Sequence, residues 1–88
     1  MSYFAAFLKM KDPELSQKFR PDHLSYLEEL EEKGKIFARG PLEDGTGGLV
    51  IYIADNFKEA KEMAENDPYI VHEARELSLH KWNMTTGK

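Results

Sequence analysis

One histidine and one aspartate are the residues of this sequence best suited to acid–base chemistry. His23 is followed four and seven residues later by Leu27 and Leu30, so on a helix all three side chains share one face. Asp67 lies at the margin of the inward alanine stripe of a second predicted helix. A carboxylate that accepts a hydrogen bond from one ring nitrogen fixes the tautomer and leaves the other nitrogen free to exchange a proton. The two residues therefore form a candidate catalytic pair.

The chemistry open to such a pair is general acid–base catalysis. A free imidazole titrates near pH ~6.5, and a positioned acid or base contributes roughly 10²- to 10⁴-fold in rate. Arg20, one helical turn before His23, offers positive charge for an anionic substrate or an enolate. The same pair equally fits a structural role, in which His23 and Asp67 only satisfy each other's hydrogen bonds at the rim of a small core.

Other residue groups are weaker candidates. His72 and His80 have neither helical spacing nor a carboxylate at a ligand-like spacing, so no metal site is predicted. The glycine-rich run 45–48 precedes a strand rather than a helix, which indicates a turn and not a phosphate site. Without a cysteine, and with no serine in a nucleophile-elbow context, a nucleophilic triad is not expected. Tyr52 and Trp82 are expected in the core or in a subunit interface.

The first half of the chain predicts strand, helix and strand. Tyr3–Met10 is apolar almost throughout, which is typical of a strand buried on both faces. Lys11–Arg20 is predicted as a connection that contains a turn or a short helix. A helix is predicted over Pro21–Lys33, because proline suits the first helical position, and Gly34 ends it. Lys35–Gly40 follows as the second strand.

The second half predicts the same three elements in the order strand, helix, strand. Pro41–Gly48 is rich in turn residues and indicates a hairpin loop, which leads into an apolar strand over Leu49–Ala54. Asn56 suits the cap of the second helix, and Pro68 ends that helix close to Asp67. Arg75–Trp82 is the predicted final strand.

The element order βαββαβ predicts an α+β, ferredoxin-like fold, with a four-stranded antiparallel sheet and both helices on one face. The two helices run antiparallel, so His23 at the start of one and Asp67 at the end of the other are expected to meet at one edge of the sheet. Arg20 and the turn at Gly40 and Pro41 are expected at the same edge. Nothing in the chain covers the other sheet face, so a homodimer that packs sheet on sheet is predicted, forming a dimeric α/β barrel.

Composition narrows the function classes. The 88 residues are predicted to form a single domain over residues 1–88. Their 12 basic and 16 acidic side chains give a net charge of −4, which argues against a nucleic-acid partner. The absence of cysteine excludes disulfides and thiolate metal sites. No apolar run approaches the ~20 residues of a membrane span and no signal peptide is visible, so no membrane partner and a cytoplasmic location are expected.

Taken together, the motifs resemble those of the YciI-like (YCII-related) family of small dimeric proteins. The similarity consists of R-x-x-H-L-x-Y-L-x-x-L at Arg20–Leu30, G-K-I-F-A-R-G-P-L at Gly34–Leu42, E-A at Glu59–Ala60, D-P-Y at Asp67–Tyr69 and the final Trp82. These segments cover nearly the whole chain in the right order. The ending H-K-W departs from the arginine-proline-tryptophan ending of many members, so the resemblance implies no ligand contact from the last strand.

The resemblance implies a dimeric α/β barrel of ferredoxin-like subunits with an active-site His–Asp dyad at His23 and Asp67. It also implies a cleft beside Gly40 and Pro41, and with the D-P-Y motif it adds Tyr69 to Arg20 as a candidate substrate contact. Proteins of this fold include muconolactone-isomerase-like enzymes and small monooxygenases, and YciI-like proteins have been associated with lyase-type chemistry on aromatic-pathway metabolites.

Two functions from different classes follow as hypotheses. The first is a cofactor-independent enzyme of lyase or isomerase type that acts on a small anionic or phenolic metabolite. His23 would be its general base and Asp67 the orienting partner. The alternative is a non-catalytic small-ligand-binding or accessory domain in which the dyad is structural. An oxygen-dependent monooxygenase is a third option, which no feature of the sequence requires.

Overall fold

The computed structural model describes residues 1–87 and shows an antiparallel four-stranded sheet of order β2-β3-β1-β4, with the helices packed against one face. The elements in chain order are β1 (Ser2–Met10), α1 (Pro13–Glu32), β2 (Ile36–Pro41), β3 (Gly47–Ala54), α2 (Phe57–Glu65), α3 (Pro68–Val71) and β4 (Arg75–Trp82). This is the predicted βαββαβ plan with one short helix added. The first and third strands are central, as their apolar sequences predicted.

The first helix begins at Pro13, and the prediction that it begins at Pro21 is wrong. Asp12 caps the helix, because its side chain accepts a hydrogen bond of 3.1 Å from the N–H of Leu15. Pro21 instead lies inside the helix, where the ring removes one backbone donor and crowds the carbonyl of the residue four positions earlier. The Asp12-Pro13 pair carries the same start signal eight residues earlier along the printed sequence. The region predicted as a connection is therefore helical.

The predicted end of this helix is confirmed. Gly34 has a left-handed φ of 72°. Its N–H donates to the Glu31 carbonyl at 3.0 Å, and the Lys35 N–H donates to the Leu30 carbonyl at 2.9 Å. This pair of bonds is a Schellman motif, in which glycine takes the left-handed position at no steric cost.

The second helix is capped as predicted but ends earlier. The Asn56 side chain accepts a hydrogen bond of 2.8 Å from the N–H of Glu59. The helix stops at Glu65, and Asp67 lies beyond it as the cap of α3, with Pro68 at the first position. The carboxyl group of Asp67 is therefore oriented by a sharp turn between two helices rather than by the α2 stripe.

The hairpin between β2 and β3 is tighter than predicted, because the strands extend to Pro41 and back from Gly47. Gly47 pairs with Lys9, and a Cβ at Gly47 would lie 2.3 Å from the carbonyl oxygen of Leu8. Only glycine permits this approach. The end of β1 and the start of β3 are thereby held together beneath the N-terminal half of α1.

The two faces of the sheet differ in burial. Phe4, Ala6 and Leu8 of β1 point toward the helices and are buried, with at most 1% exposed. Alternate β1 residues point to the opposite face and are partly buried or exposed, so β1 is not buried on both faces, whereas Ile51 of β3 is buried on the open face as well. Tyr52 lies in the core as expected, whereas Trp82 is 44% exposed on the open face. Among residues 1–87, no helix has the length and hydropathy to cross a membrane.

Candidate active site

His23 and Asp67 are in direct contact inside the protein. The imidazole Nδ1 lies 2.8 Å from both carboxylate oxygens. The Asp67 side chain is completely buried, and the His23 side chain is 11% exposed. An ionised carboxylate can only accept hydrogen bonds, so Nδ1 is the donor and Nε2 is the unprotonated nitrogen of the neutral ring. The hydrogen bonds of this ring within residues 1–87 all use Nδ1, which leaves Nε2 for a ligand.

The backbone positions both members of this pair. His23 projects inward from the middle of α1, on the same face as buried Leu27. Asp67 caps α3, where one carboxylate oxygen also accepts a hydrogen bond of 2.9 Å from the N–H of Tyr69. The buried charge is thus held by one imidazole and one backbone donor, as burial of a carboxylate requires. The predicted proximity of His23 and Asp67 is observed.

Tyr69 forms the centre of a three-layer stack. Its ring stacks on the imidazole of His23 with centroids 3.9 Å apart and an angle of 16°. The guanidinium carbon of Arg75 lies 4.4 Å from the centroid of the same ring. Two groups this close cannot share one ring face, so His23 and Arg75 lie on opposite faces. The stack limits rotation of the imidazole and links it physically to a cation.

Arg75 is itself held in place. Its Nε donates to the hydroxyl of Ser16 at 2.9 Å, and its Nη1 donates to the Leu8 carbonyl at 3.3 Å. Ser16 is 4% exposed and donates in turn to the carbonyl of Ala74 at 3.2 Å. The guanidinium is therefore fixed between α1 and the end of β1, while its remaining N–H groups are unused within the described part of the chain.

A cavity of about 530 Å³ opens beside the stack, between α1 and the β2-β3 end of the sheet. Of the residues predicted for the site, His23, Arg20, Gly40, Pro41 and Tyr69 all line it. Asp67 does not, because its carboxylate lies fully buried behind the imidazole. His23 thus lines the cavity with its ring oriented by Asp67, and Nε2 is the nitrogen available to a ligand.

Sequence reasoning missed two arginines of this cavity, Arg39 and Arg75. Arg75 alternates with Leu77 and Leu79, which pack against the core, so it occupies an inward position of β4. An arginine where the alternation calls for an apolar residue was the signal that could have revealed it. Arg39 of β2 pairs with the inward Val50 of β3, beyond an irregularity in the register that the sequence does not show.

Three tyrosines around the pair are kept in their neutral form. Burial, with the negative charge of Asp67 next in size, raises the pKa of Tyr26 to about 12 and that of Tyr52 well above its ordinary value. Burial also raises the pKa of Tyr69, against the opposing effect of Arg75 and Arg20. Tyr26 donates its hydroxyl to the carbonyl of Met63 at 2.7 Å. At neutral pH these phenols keep their protons, so none acts as an anionic base.

Within residues 1–87, no group of three or more histidine, aspartate and glutamate side chains is arranged to hold a metal ion. His72 instead stacks on Phe19, with ring centroids 3.8 Å apart. His80 is hydrogen-bonded to Ser78, whose hydroxyl oxygen lies 2.9 Å from the Nε2 of His80.

The structure thus combines a ferredoxin-like α+β fold with an oriented histidine at the wall of an arginine-lined cavity. Sequence comparison identifies its family. The YCII-related domain matches residues 2–83, and the chain belongs to this family.

Two individual relatives extend the comparison. The chain is 28% identical over 82 residues to the uncharacterized protein YjpA of Bacillus subtilis (strain 168). This alignment covers 93% of this chain and 96% of YjpA. It also resembles the solved structure of 5-chloro-2-hydroxyhydroquinone dehydrochlorinase (TftG) from Burkholderia phenoliruptrix AC1100, in complex with 2,5-dihydroxybenzoquinone. That likeness has a TM-score of 0.78 at 26% identity and covers 94% of this chain and 95% of TftG.

Proposed function

We propose that this protein is a cofactor-independent enzyme of lyase or isomerase type that acts on a small anionic or phenolic metabolite. The observation that carries the proposal is the buried His23–Asp67 contact of 2.8 Å at the wall of a cavity. The YCII-related family and the likeness to TftG, which bears the name of a hydroquinone dehydrochlorinase, support a small ring compound as substrate.

In the proposed mechanism, His23 is the general base. Nε2 removes a proton from a hydroxyl group or an activated carbon of the substrate, and the charge of Asp67 stabilises the imidazolium that forms. The electron pair left on the substrate either expels a leaving group, as in a lyase, or shifts a double bond, as in an isomerase. The imidazolium then returns its proton to a basic leaving group or to a second substrate carbon, and where the leaving group is chloride it gives the proton to solvent. Arg20 and the hydroxyl of Tyr69 would stabilise negative charge on the substrate meanwhile.

A chloride-release assay tests the elimination, and a deuterium-exchange assay tests the isomerisation. Wild-type protein is incubated with 5-chloro-2-hydroxyhydroquinone, the compound named for TftG. Deuterium exchange from heavy water into phenolic and lactone acids is followed in parallel by NMR. We expect acceleration of at least one reaction over buffer, and we expect it to persist after EDTA treatment and desalting.

His23→Asn is the informative variant, because its amide nitrogen can still donate to Asp67 while the basic Nε2 is lost. We expect loss of roughly 10²- to 10⁴-fold in turnover with little loss of stability. Asp67→Asn should lower turnover by about 10²-fold, since the imidazolium loses its counter-charge. Turnover that is equal in wild type and His23→Asn would contradict the role of the histidine. Ligand binding without turnover in any assay would instead favour the non-catalytic binding domain.

The open face of the sheet supports the second part of the proposal, a homodimer. Phe37, Leu49 and Trp82 are each at least 40% exposed there and border an apolar concavity of about 600 Å³. Because Gly40 and Pro41 line this concavity and the His23 cavity alike, a second copy on this face would border the active site.

Sedimentation velocity with two matched variants tests the dimer. Phe37 and Phe57 are exposed to almost the same extent, 48% and 47%, but Phe37 lies on the open face and Phe57 on helix α2. We expect a dimer in the wild type, a monomer in Phe37→Lys and a dimer in Phe57→Lys. A wild-type monomer at micromolar concentration would refute the proposed interface.

A further inference from the structure

The cavity is positively charged although the protein is acidic. The chain has a net charge of −4, yet Arg20, Arg39 and Arg75 all line the His23 cavity. The carboxylate of Asp67, the anion nearest to the imidazole, is already engaged by His23 and the Tyr69 N–H. Local charge therefore opposes the charge of the whole molecule and favours an anion in this cavity.

The three arginines are not equivalent. Arg39 is paired with Glu31 through two hydrogen bonds, Nε to Oε2 and Nη2 to Oε1, both of 3.0 Å. This bidentate contact neutralises most of its charge. Arg20 is exposed, so its side chain is solvated and screened by salt. Neither is the strongest candidate for ligand recognition.

Arg75 differs from both. Its partners are a hydroxyl, a carbonyl and the face of an aromatic ring, all of them neutral. No carboxylate among the described residues forms an ion pair with it. The guanidinium is thus immobilised and partly buried, with its charge uncompensated and donors to spare. A planar fork fixed in this way is preorganised to bind a carboxylate or an ionised hydroxyl group.

We propose that Arg75 is the principal anion contact of the cavity and that the natural ligand is a flat ring bearing a carboxylate or an ionised hydroxyl group. The inference takes from the proposed function the choice of the His23 cavity and of a ring compound as ligand, and it makes Arg75 a specificity-determining residue. Ser16 acts through Arg75 as a positioning residue, because it accepts the hydrogen bond from Nε.

Isothermal titration calorimetry with matched ligand pairs tests the proposal. The first pair is 2,5-dihydroxybenzoate and its methyl ester, and the second is 4-nitrophenolate and 4-nitroanisole at mildly alkaline pH. Within at least one pair we expect the wild type to bind the anion about tenfold or more tightly than the neutral compound, the range of a charge-assisted hydrogen bond. Preference in the first pair alone indicates a carboxylate ligand, and preference in the second alone an ionised hydroxyl. No preference in either pair overturns the proposal.

Variants assign the preference to one arginine. Arg75→Gln should abolish it, Arg75→Lys should keep part of it, and Arg39→Gln should change it by no more than about threefold, because Glu31 already occupies Arg39. Ser16→Ala should weaken anion binding while leaving the charge in place. Equal losses in Arg75→Gln and Arg39→Gln, or an unaltered preference in Arg75→Gln, would overturn the assignment.

A salt titration of the wild type covers the case in which Arg75→Gln does not fold. Salt should weaken binding of the anion and leave the neutral compound unaffected, since it screens a local attraction. A protein of net charge −4 without such a site would bind the anion more tightly as salt screens the general repulsion, and that result would overturn the proposal.

His23→Asn should keep the anion preference while losing turnover, so failure of the anion site and failure of the catalytic proposal are separately visible.

Discussion

Two carboxylates make close contacts with a nitrogen donor next to the same cavity, and the two contacts differ strongly in burial. His23–Asp67 joins side chains that are 11% and 0% exposed, whereas Arg39–Glu31 joins side chains that are 24% and 40% exposed. The distances are similar, at 2.8 and 3.0 Å. In the exposed pair water can replace either partner at small cost, while in the buried pair nothing replaces a lost partner. Burial, rather than distance, makes one contact a rigid part of the interior and leaves the other at the surface.

Removal of the buried carboxylate should have the largest effect. Asp67→Ala leaves the Nδ1–H of His23 and the N–H of Tyr69 without their acceptor and removes the cap of α3. We expect a loss of about 3–5 kcal/mol in the free energy of unfolding. Urea denaturation followed by circular dichroism measures it. Asp22→Ala, an exposed aspartate one residue from His23, is the control and should stay within about 0.5 kcal/mol. Equal effects of the two substitutions would remove the distinction between buried and exposed carboxylates.

The pH dependence of stability at alkaline pH tests the buried side of the comparison through Tyr26, a half-buried tyrosine beside Asp67. The pKa of Tyr26 is raised to about 12, mainly by burial, whereas an unfolded tyrosine ionises near pH ~10. Between these values the unfolded state has lost a proton that the folded state keeps, so the free energy of unfolding must fall as pH rises. The contribution of Tyr26 to stability should be level below pH ~10 and decrease toward pH ~12.

Tyr26→Phe tests the source of that decrease. The substitution deletes the hydrogen bond to the Met63 carbonyl and should cost roughly 1 kcal/mol at neutral pH. It should also reduce the alkaline slope without abolishing it, because the pKa values of Tyr52 and Tyr69 are raised as well. An unchanged slope would show that Tyr26 ionises normally in the folded protein.

Breaking the exposed Arg39–Glu31 pair should change the free energy of unfolding least. The Arg39 guanidinium holds the pKa of Glu31 below its usual range, so the pair stabilises the fold above the usual glutamate range and this contribution disappears as pH falls through that lowered pKa. Glu31→Gln should barely move the urea midpoint at neutral pH. By freeing Arg39 it should strengthen binding of 2,5-dihydroxybenzoate by about threefold or less. A larger gain would mean that Arg39, and not Arg75, dominates the cavity.

Much of the fold was readable from the sequence because local signals agreed with one another. The doubly apolar runs predicted that β1 and β3 are central, and Gly34 and Asn56 predicted a helix end and a helix start. The contact between His23 and Asp67 was predicted, but the reasoning behind it was only partly right, because His23 lies in the middle of α1 rather than at its start and Asp67 caps α3 rather than ending α2.

The failures have physical reasons. Pro21 was taken as a helix start because proline suits that position, but a long helix tolerates an interior proline when its remaining hydrogen bonds and packing suffice. Arg75 was overlooked because its role depends on Ser16 and Tyr69, which are 59 and 6 positions away and meet it only in the folded state. The alternation of β4 places Arg75 on the inward face, but it does not show which long-range polar contacts hold the side chain there.

The central claim is that Asp67 holds His23 with Nδ1 protonated and Nε2 available as a base. Long-range ¹H–¹⁵N NMR of the imidazole nitrogens, at a pH where the ring is neutral, tests it most directly. We predict that His23 is in the Nδ1–H tautomer in the wild type and that this preference is weakened in Asp67→Asn. A neutral ring protonated at Nε2 in the wild type would contradict the account, because Nδ1 would then have no proton to donate to the carboxylate.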